Sequence, residues 1–345
     1  MKPIILSILI PTYNRVGFLE TTVEYFIQQI VKDGLENRVE ILIGNDDPKD
    51  SDTVVYTNQL SYKHNFVHCW NHPKNLGLSQ NVEFLVKEAG GEYILISGED
   101  DLTKEGALKY YIDCIREKSP NYILVNTSNI ISSDNANRDF KIVLENRLNI
   151  HENIFMEDWD KDGYLLKPAR NWLYLTNFLT AVVFKKNLFQ SELNNAKKYI
   201  RPENVWLWQA PNIIGIKKYG RLLVIAKCFV LCRNNENHWG VNDVRGSYFI
   251  NLFDSIGITK IIKDYMPSEY KKYKKLYASF VMKTFTLETE KGKDIRKFAL
   301  IAFRNNFDCF PENIQFLAMS IAPKLIIQNN SKLRTYKKFI FDNEQ

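Results

Sequence analysis

The 345-residue chain contains little cysteine and no apolar run long enough to span a membrane. Its five cysteines include no Cys-x-x-Cys pair, so we expect free thiols and a reducing, cytoplasmic environment rather than a disulfide framework. The first apolar run, residues 4–10, is short and leads directly into Pro11, and no uninterrupted run of about 18 apolar residues follows. The sequence therefore predicts a protein with neither a cleavable leader nor a membrane-spanning helix.

Three nucleotide- and nucleic-acid-binding signatures are also absent from the sequence. No Gly-x-Gly-x-x-Gly follows the first strand-like run, which disfavours a dehydrogenase, and no glycine-rich N-terminal phosphate loop indicates a sugar nucleotidyltransferase. The net charge of +6 is concentrated in residues 246–345, which hold 17 Lys and Arg against 10 Asp and Glu. This basic tail lacks a recognition module, so we do not expect a nucleic-acid partner.

Apolar strand-like runs alternate with amphipathic helical patterns in the first third of the chain. This order predicts an α/β protein with a mostly parallel sheet flanked by helices. The predicted strands are residues 4–10, 39–43, 66–70 and 93–97, and the predicted helices are residues 18–30 and 79–89.

The loops that follow these strands should gather at one edge of the sheet. The carboxyl edge of an open parallel sheet is where ligands bind. We therefore expect residues 11–14, 45–47, 74–77 and 98–101 to face one crevice.

Periodicity is weaker in the middle of the chain. Thr103 is a candidate cap for a helix around residues 108–115, and Pro120 precedes a further strand. Later strands are predicted at residues 122–125, 180–184 and 222–232, with a helix at 205–214 and a mainly helical region after residue 246.

Three consecutive acids close the strand at residues 93–97. Glu99, Asp100 and Asp101 follow Gly98, and carboxylates this close raise one another's pKa unless a cation or solvent intervenes. Hard oxygen ligands suit Mg²⁺ or Mn²⁺, and a diphosphate is the ligand that such a metal would hold. A solvated acidic turn is the alternative.

Four segments, taken together, resemble the family-2 glycosyltransferases of the GT-A fold. They are SILIPTYNR, EILIGNDD, NLGLSQN and ISGEDDL, in this order and spacing. Within that family, the GEDDL ending and the later segment LTAVVFKKNLF are similar to bacterial enzymes that add sugars to O-antigen or capsule repeat units, with the abequosyltransferase-like branch as the nearest group. The resemblance implies a GT-A domain whose nucleotide-sugar-binding half is residues 1–125 and whose acceptor half is residues 126–245, followed by a basic helical region at 246–345.

On the donor side, the resemblance implies that Pro11, Thr12 and Tyr13 line a nucleoside pocket. Asp46 would accept a hydrogen bond from the base, which favours uridine over deoxythymidine, guanosine or cytidine. Alternatively, Thr12 and Asp46 cap a turn and a helix. Asp47 corresponds to the second acid of the family's usual pair, whereas Pro48 departs from its usual glycine.

The NLGLSQN turn would bind phosphate. Gly77 permits close backbone approach and Lys74 can act as a point charge, with Asn75 beside them in the donor site. A lysine exposed on the surface without a role is the alternative for Lys74.

The family's metal element is a pair of aspartates separated by one residue, and two alignments are possible here. Either Glu99 takes the donor-side role and Asp101 binds the metal, or Asp100 is the ligand. We therefore assign Glu99 and Asp100 to donor binding, and Asp100 and Asp101 to a Mn²⁺ or Mg²⁺ ion, with Asp101 also catalytic. His238 is a candidate further ligand, and a solvent-facing or aromatic-stacked histidine is the alternative.

The chemistry also needs a base and cationic groups at the leaving diphosphate. The resemblance implies Glu203, in RPENVWLW, as the base, although Glu203 could instead favour a helix N-terminus by its charge. Arg233 and Arg245, around the segment CRNNENHWG, are candidate donor-binding residues of a lid.

Together with the resemblance, which alone implies inversion, these assignments predict an inverting, metal-dependent transfer of a sugar from a nucleotide-sugar donor to a glycan or a polyprenyl-diphosphate-linked saccharide in surface polysaccharide synthesis. A noncatalytic nucleotide-sugar-binding protein and a sugar nucleotidyltransferase are the alternatives. The basic tail could contact the anionic inner leaflet, pack on the catalytic domain or mediate self-association.

Two further motifs are weak. His64, His68 and His72 recur every fourth residue, but Pro73 and the strand-like residues around them argue against a zinc-binding helix. Residues 158–163 match the first half of a calcium loop, whose twelfth position is alanine instead of glutamate.

Overall fold

A computed structural model describes most of the chain. The described residues are 3–132, 140–144, 146–169, 172–202, 204, 206–233, 255–290, 296–305, 314 and 317. The chain divides into two compact units, residues 1–236 and 237–345.

The first unit is built on a ten-stranded sheet. The order of its main path is β3-β2-β1-β4-β9-β6-β10-β5, with β7 paired to β6 and β8 paired to β10. The strands are β1 (Leu6–Thr12), β2 (Val39–Asn45), β3 (Val67–Asn71), β4 (Tyr93–Ile96), β5 (Leu102–Thr103), β6 (Tyr122–Ser132), β7 (Phe140–Leu144), β8 (Ile154–Met156), β9 (Val182–Lys185) and β10 (Leu222–Arg233).

Eight α-helices accompany these strands among the described residues of this unit. They are α1 (Val16–Lys32), α2 (Ser51–Lys63), α3 (Leu78–Glu88), α4 (Ala107–Lys118), α5 (Trp159–Asp162), α6 (Trp172–Leu175), α7 (Lys186–Ala196) and α8 (Ala210–Tyr219). Short 3-10 turns cover Gly163–Leu166 and Leu179–Ala181.

Six strands run in the same direction. β1 pairs in parallel with β2 and β4, and β2 pairs in parallel with β3. β9 is antiparallel to both β4 and β6, and β6 is parallel to β10, so β6 and β10 share the direction of β1 to β4. This confirms the mostly parallel α/β sheet that the sequence predicts.

The central strands are apolar because both of their faces are covered. All seven residues of β1 and of β2 are buried, as expected for parallel strands between helical layers. Leu19, Val23, Phe26 and Ile30 of α1 form one buried stripe that packs into the same core.

The joint between α7 and α8 contains a buried acid. Glu192 on α7 is 2% exposed and accepts hydrogen bonds from Lys218 (2.9 Å) and Tyr219 (2.5 Å) at the end of α8 and from Asn195 (2.8 Å). Burial alone would raise the pKa of Glu192, but these hydrogen bonds outweigh it and lower that pKa. In α8, Gly215 allows close packing, because a Cβ there would lie 1.8 Å from the Tyr122 hydroxyl.

Several local predictions need correction. Thr103 lies in β5 and is not a helix cap; α4 instead begins after Gly106, which takes the left-handed conformation with φ +80°. The sequence patterns missed α2, which buries only three residues and is capped by the Asp50 side chain. The first strand does not end at residue 10 but continues through Thr12, and the helix predicted at 205–214 begins at Ala210.

The partial calcium motif forms a helix start instead of a loop. Asp158 caps α5 by accepting a hydrogen bond from the Lys161 N–H (3.1 Å), and Asp162 accepts one from the Asp158 N–H (3.0 Å). Asp160 pairs with Lys217. These acids therefore have structural partners.

In the second unit, the described residues are helical, as predicted for the region after residue 246. The helices are α9 (Ser255–Tyr265), α10 (Pro267–Glu290) and α11 (Arg296–Asn305), and α10 packs against both others. Across the described part of the whole chain, every helix is too short or too polar to cross a bilayer.

Candidate active site

The carboxyl ends of the parallel strands meet at one edge of the sheet, and hydrogen bonds join the loops that follow them. The Asp46 N–H after β2 donates to the Thr12 carbonyl at the end of β1 (2.9 Å). The Tyr13 N–H donates to the Glu99 carboxylate after β4 (3.2 Å). The convergence predicted for the loops after β1, β2, β3 and β4 is therefore observed.

Asp46 joins the loop after β2 to the turn before α3. Its two carboxylate oxygens accept hydrogen bonds from the N–H groups of Leu76 (2.6 Å) and Gly77 (2.8 Å). Asp46 is only 4% exposed, and burial raises its pKa although the two N–H groups favour the charged form. Gly77 has φ +80°, a left-handed conformation suited to glycine. We name this arrangement of Asp46, Leu76 and Gly77 the Asp46 clamp.

Other predicted donor residues surround the Asp46 clamp. The Asn75 side chain accepts a second hydrogen bond from the Gly77 N–H (2.9 Å), while Lys74 is exposed beside it. Pro11 and Thr12 are buried, and the Tyr13 side chain is 51% exposed. An exposed ring next to a buried polar clamp is a suitable wall for a planar base.

The buried amide side chain of Asn81 binds β2 just before the Asp46 clamp. Asn81 donates to the Gly44 carbonyl (2.8 Å), and its side-chain oxygen contacts His72 Nε2 (3.1 Å). His72 thus has a structural partner, and His68 lies in β3, so the three spaced histidines do not share a helix face. Among the described residues, no group of three or more His, Cys, Asp and Glu side chains could hold a metal ion.

The acidic loop after β4 is held by α1 and by Arg15, the residue immediately before α1. Thr22 of α1 donates to the carbonyls of Glu99 (2.7 Å) and Asp101 (3.0 Å). Arg15 Nη1 forms ion pairs with Glu99 (3.3 Å) and Asp100 (3.2 Å), and all three side chains are at most 20% exposed. The loop is therefore anchored on both its backbone and its side chains.

Burial raises the pKa of two of these acids. The pKa of Glu99 rises to about 7, mainly through burial, although the Thr12 hydroxyl and Arg15 favour its ionised form. The pKa of Asp101 is raised by burial and then by the neighbouring charge of Asp100. Thr180 opposes this rise by donating to Asp101 Oδ2 (2.6 Å), and Thr180 itself accepts from the Gly98 N–H (2.9 Å).

Arg233 at the end of β10 lies near the acids. The charges of Asp100 and Asp101 act to raise its pKa, but burial has the larger effect and lowers it. The residue is 5% exposed, and none of its three guanidinium nitrogens has a hydrogen-bond partner within the described parts of the chain. Its guanidinium carbon lies 5.3 Å from the centre of the Phe18 ring. The guanidinium carbon of Arg15 lies 5.8 Å from the centre of the same ring.

The two aspartates have the chemistry that a small divalent cation needs. A Cβ on Gly98 would lie 3.2 Å from Asp100 Oδ1 and 3.1 Å from Asp101 Oδ2, so both carboxylates border the space that the glycine leaves. Proteins often bind Mg²⁺ through one or two carboxylates, with substrate phosphates and water completing the shell. Asp100 and Asp101 therefore fit such an ion.

Three predicted site residues lie outside the described residues: Glu203, His238 and Arg245. The neighbouring Asn204 is described, and its carbonyl accepts a hydrogen bond from Ser79, in the first turn of α3. Asn204 thus lies close to α3, which begins next to the Asp46 clamp.

The family model described as "Glycosyl transferase family 2" matches residues 7–182 of this chain. That match covers slightly more than half of the sequence. The chain belongs to glycosyl transferase family 2. The family that its sequence resembles is therefore confirmed, and residues 7–182 form a domain of that family.

Two curated relatives agree with this membership of family 2. The minor teichoic acid biosynthesis protein GgaB of Bacillus subtilis is 30% identical over 111 residues, which are 32% of this chain and 12% of GgaB. Glycosyltransferase GlyG of Streptococcus pneumoniae serotype 4 is 25% identical over 130 residues, which are 38% of this chain and 41% of GlyG. The chain thus spans less than half the length of either relative.

Solved structures of S. aureus TarS share the fold of this family-2 chain. TarS 1–349 in complex with UDP-GlcNAc superposes with a TM-score of 0.63 at 13% identity, covering 95% of this chain and 92% of TarS 1–349. The complex with UDP gives a TM-score of 0.61 at 14% identity, covering 95% and 91%. The predicted GT-A fold is confirmed.

Sequence reasoning did not assign Arg15, Thr22, Thr180 or Arg147 to the site, where the charge of Arg147 acts to lower the pKa of Asp101. Arg15 and Thr180 lie in the motifs SILIPTYNR and LTAVVFKKNLF, so their place in those motifs was an available signal. Thr22 resembles any helix threonine, and Arg147 lies where periodicity is weak. The contacts of these two residues depend on folding.

Proposed function

We propose that this glycosyltransferase transfers a sugar from a UDP-linked donor, with inversion and with a divalent cation, to a glycan or a polyprenyl-diphosphate-linked saccharide. The observation that carries the proposal is the proximity of two features at one sheet edge: the Asp46 clamp and the acidic loop with its arginines. One feature suits a nucleoside and the other suits a diphosphate.

The nucleoside end of the donor would lie at the Asp46 clamp. A carboxylate has about four lone-pair positions, so Asp46 can accept a base N–H in addition to the two backbone N–H groups that it already binds. Pro11, Thr12 and Tyr13 would line the base and ribose. The TarS complexes with UDP-GlcNAc and UDP support a uridine donor for this related fold.

The diphosphate would lie between the clamp and the acidic loop. Asp100 and Asp101 would hold Mn²⁺ or Mg²⁺, which when bound offsets charge on the diphosphate leaving group. Arg233, a buried guanidinium with unpaired nitrogens among the described residues, is suited to bidentate contact with phosphate oxygens. The turn before α3 would contact the phosphates through Lys74, Asn75 and Gly77. Glu99 would hold Tyr13 in the donor pocket by accepting the hydrogen bond from its N–H.

The base would be Glu203, which deprotonates the acceptor hydroxyl as this oxygen attacks the anomeric carbon. The bond between that carbon and the diphosphate oxygen breaks in the same step, so the configuration inverts. Arg245 and His238, in the segment after β10, would complete the donor site. These three roles rest on the family resemblance.

The acceptor would belong to a bacterial surface polysaccharide. The name of GgaB assigns that relative to minor teichoic acid biosynthesis, which supports a role in cell-surface polymer synthesis, and O-antigen and capsule units are related acceptors. Lipid-linked acceptors would place the enzyme at the cytoplasmic face of the membrane. The basic residues after 246 could then provide peripheral attachment or self-association.

A thermal-shift panel tests the donor site. UDP, dTDP, GDP and CDP would each be added with and without Mn²⁺, and a ligand at about 100 times its Kd should stabilise the protein by about 2.7 kcal/mol. We expect a Mn²⁺-dependent shift with UDP that Asp101→Asn removes. Asp113→Asn replaces a partly exposed aspartate on α4 that pairs with Lys109; it is the matched control and should retain the shift. A shift with another nucleotide alone would reject uridine, and a full shift in Asp101→Asn would reject the metal assignment.

A further inference from the structure

Arg147 lies beside the acidic loop although no sequence motif marks it. Its guanidinium carbon lies 4.2 Å from the centre of the Phe178 ring, and Thr180, two residues further along, binds Asp101. The charge of Arg147 favours the ionised forms of Asp101 and of Cys232, the neighbour of Arg233 in β10. Arg147 and Arg233 are therefore both close to Asp101.

A buried asparagine network holds the loop that carries Arg147. The Asn126 side chain is fully buried; it donates to Asn146 (2.6 Å) and accepts from the Leu148 N–H (3.0 Å). The same amide donates to the Ala226 carbonyl (2.9 Å) at the irregularity in β10. Asn146 takes a left-handed conformation, with φ +54°, and accepts from the Ile150 N–H (3.1 Å). The loop is therefore tied to β6 and β10.

The guanidinium of Arg147 is only partly satisfied. Nη2 donates to Asn129, the residue paired with Cys232 in the sheet, whereas Nη1 is buried without a hydrogen-bond partner in the described part of the chain. Arg147 also forms no ion pair with a described residue. A buried cationic N–H group without an acceptor is costly, so a fixed, unsatisfied guanidinium indicates an anionic ligand.

We propose that Arg147 is a second arginine ligand of the donor diphosphate and acts together with Arg233. The two residues offer four guanidinium nitrogens that have no acceptor among the described residues. Phosphate oxygens are the acceptors that such planar, always-charged donors bind best. This inference rests on the proposed function, because it assumes that a diphosphate binds at the acidic loop.

Isothermal titration of the full chain in saturating Mn²⁺ tests the inference, with UDP, inorganic pyrophosphate and uridine as probes. Arg147→Gln should weaken binding of UDP and pyrophosphate at least 10-fold and leave uridine binding unchanged. Arg147→Lys should recover part of the affinity, since lysine restores the charge without the bidentate fork. Arg116→Gln removes an exposed arginine at the end of α4 and should bind all probes like the wild type.

The outcomes separate this inference from the proposed function. Wild-type affinity of Arg147→Gln for UDP and pyrophosphate would overturn the inference and leave the donor assignment intact. Pyrophosphate binding that depends on Arg147, without UDP binding, would support the inference and reject the uridine donor. Failure of the wild type to bind either would reject both. If Arg147→Gln does not fold, Arg147→Met keeps the packing on Phe178 and carries the same expectation.

Discussion

Asp46→Asn should loosen the Asp46 clamp and destabilise the first unit. An asparagine amide can accept one of the two backbone hydrogen bonds with its oxygen, but its nitrogen would face the other N–H, and two donors cannot pair. In the wild type, both contacts are short, 2.6 Å to Leu76 and 2.8 Å to Gly77, and the carboxylate is buried.

The expected cost follows from these contacts. A hydrogen bond to a charged group contributes about 1.5–3 kcal/mol, and a buried N–H left unsatisfied costs about 1–3 kcal/mol. The raised pKa of Asp46 shows that its own burial offsets part of this gain. We therefore expect the variant to lose about 2–4 kcal/mol of unfolding free energy in total.

Urea denaturation followed by tryptophan fluorescence measures the loss, which should appear in the midpoint with an unchanged m-value. Hydrogen exchange of the peptide that contains residues 76 and 77 should become faster, because the clamp protects those amides. UDP affinity should fall at least 10-fold if the clamp also holds the base.

Asp47→Asn is the matched control for Asp46→Asn. Asp47 is one residue away and accepts a hydrogen bond from the Lys49 N–H (3.0 Å) in an exposed turn, so its replacement should cost at most about 0.5 kcal/mol. The clamp would be refuted if Asp46→Asn matched Asp47→Asn in both stability and amide exchange.

Three other predictions concern the supports of the site and of the core. Thr22→Val removes the hydroxyl that holds the acidic loop, so the rate of sugar transfer should fall about 10-fold in a UDP-release assay. The control Thr21→Val loses a hydrogen bond to the Gly17 carbonyl within α1 and should retain activity. Gly215→Ala should lower the free energy of unfolding measured in urea by about 1–3 kcal/mol, because the added Cβ would collide with the buried Tyr122. The control Gly17→Ala has open space around its Cβ, so it should leave that free energy unchanged or raise it. The pKa of Glu192 is lower in the folded protein than its unfolded value of about 4.5, so its stabilising contribution is fully present above that value and is lost as pH falls through the folded pKa. The difference in unfolding free energy between wild type and Glu192→Gln should therefore shrink as pH falls through this range. A difference that stays constant with pH would contradict this prediction.

Local signals predicted the first half of the fold well. The strands β1 to β4 are short apolar runs, and α1 and α3 show clear amphipathic patterns, so both types of element were predictable. The parallel direction of these strands then placed their loops at one edge, as observed. The helix α2 was missed because it is largely polar and depends on its Asp50 cap more than on an apolar stripe.

The middle of the chain was less predictable, because its elements depend on distant partners. β5 has only two residues and exists because it pairs with β10. Thr103 matched the sequence pattern of a helix cap, but its pairing with Val230 places it in a strand. Such pairing is decided by the whole sheet and not by nearby residues.

The sequence by itself determined the α/β class, the gathering of the loops at the carboxyl edge, and the position of three acids directly after β4. These features follow from local periodicity and from motifs within single loops. Only the tertiary structure decided what those acids contact: the pairing of Arg15 with Glu99 and Asp100, the bond from Thr180 to Asp101, and the approach of Arg147 and Arg233. Burial and long-range packing create those contacts, and both exist only once the separate segments have folded together.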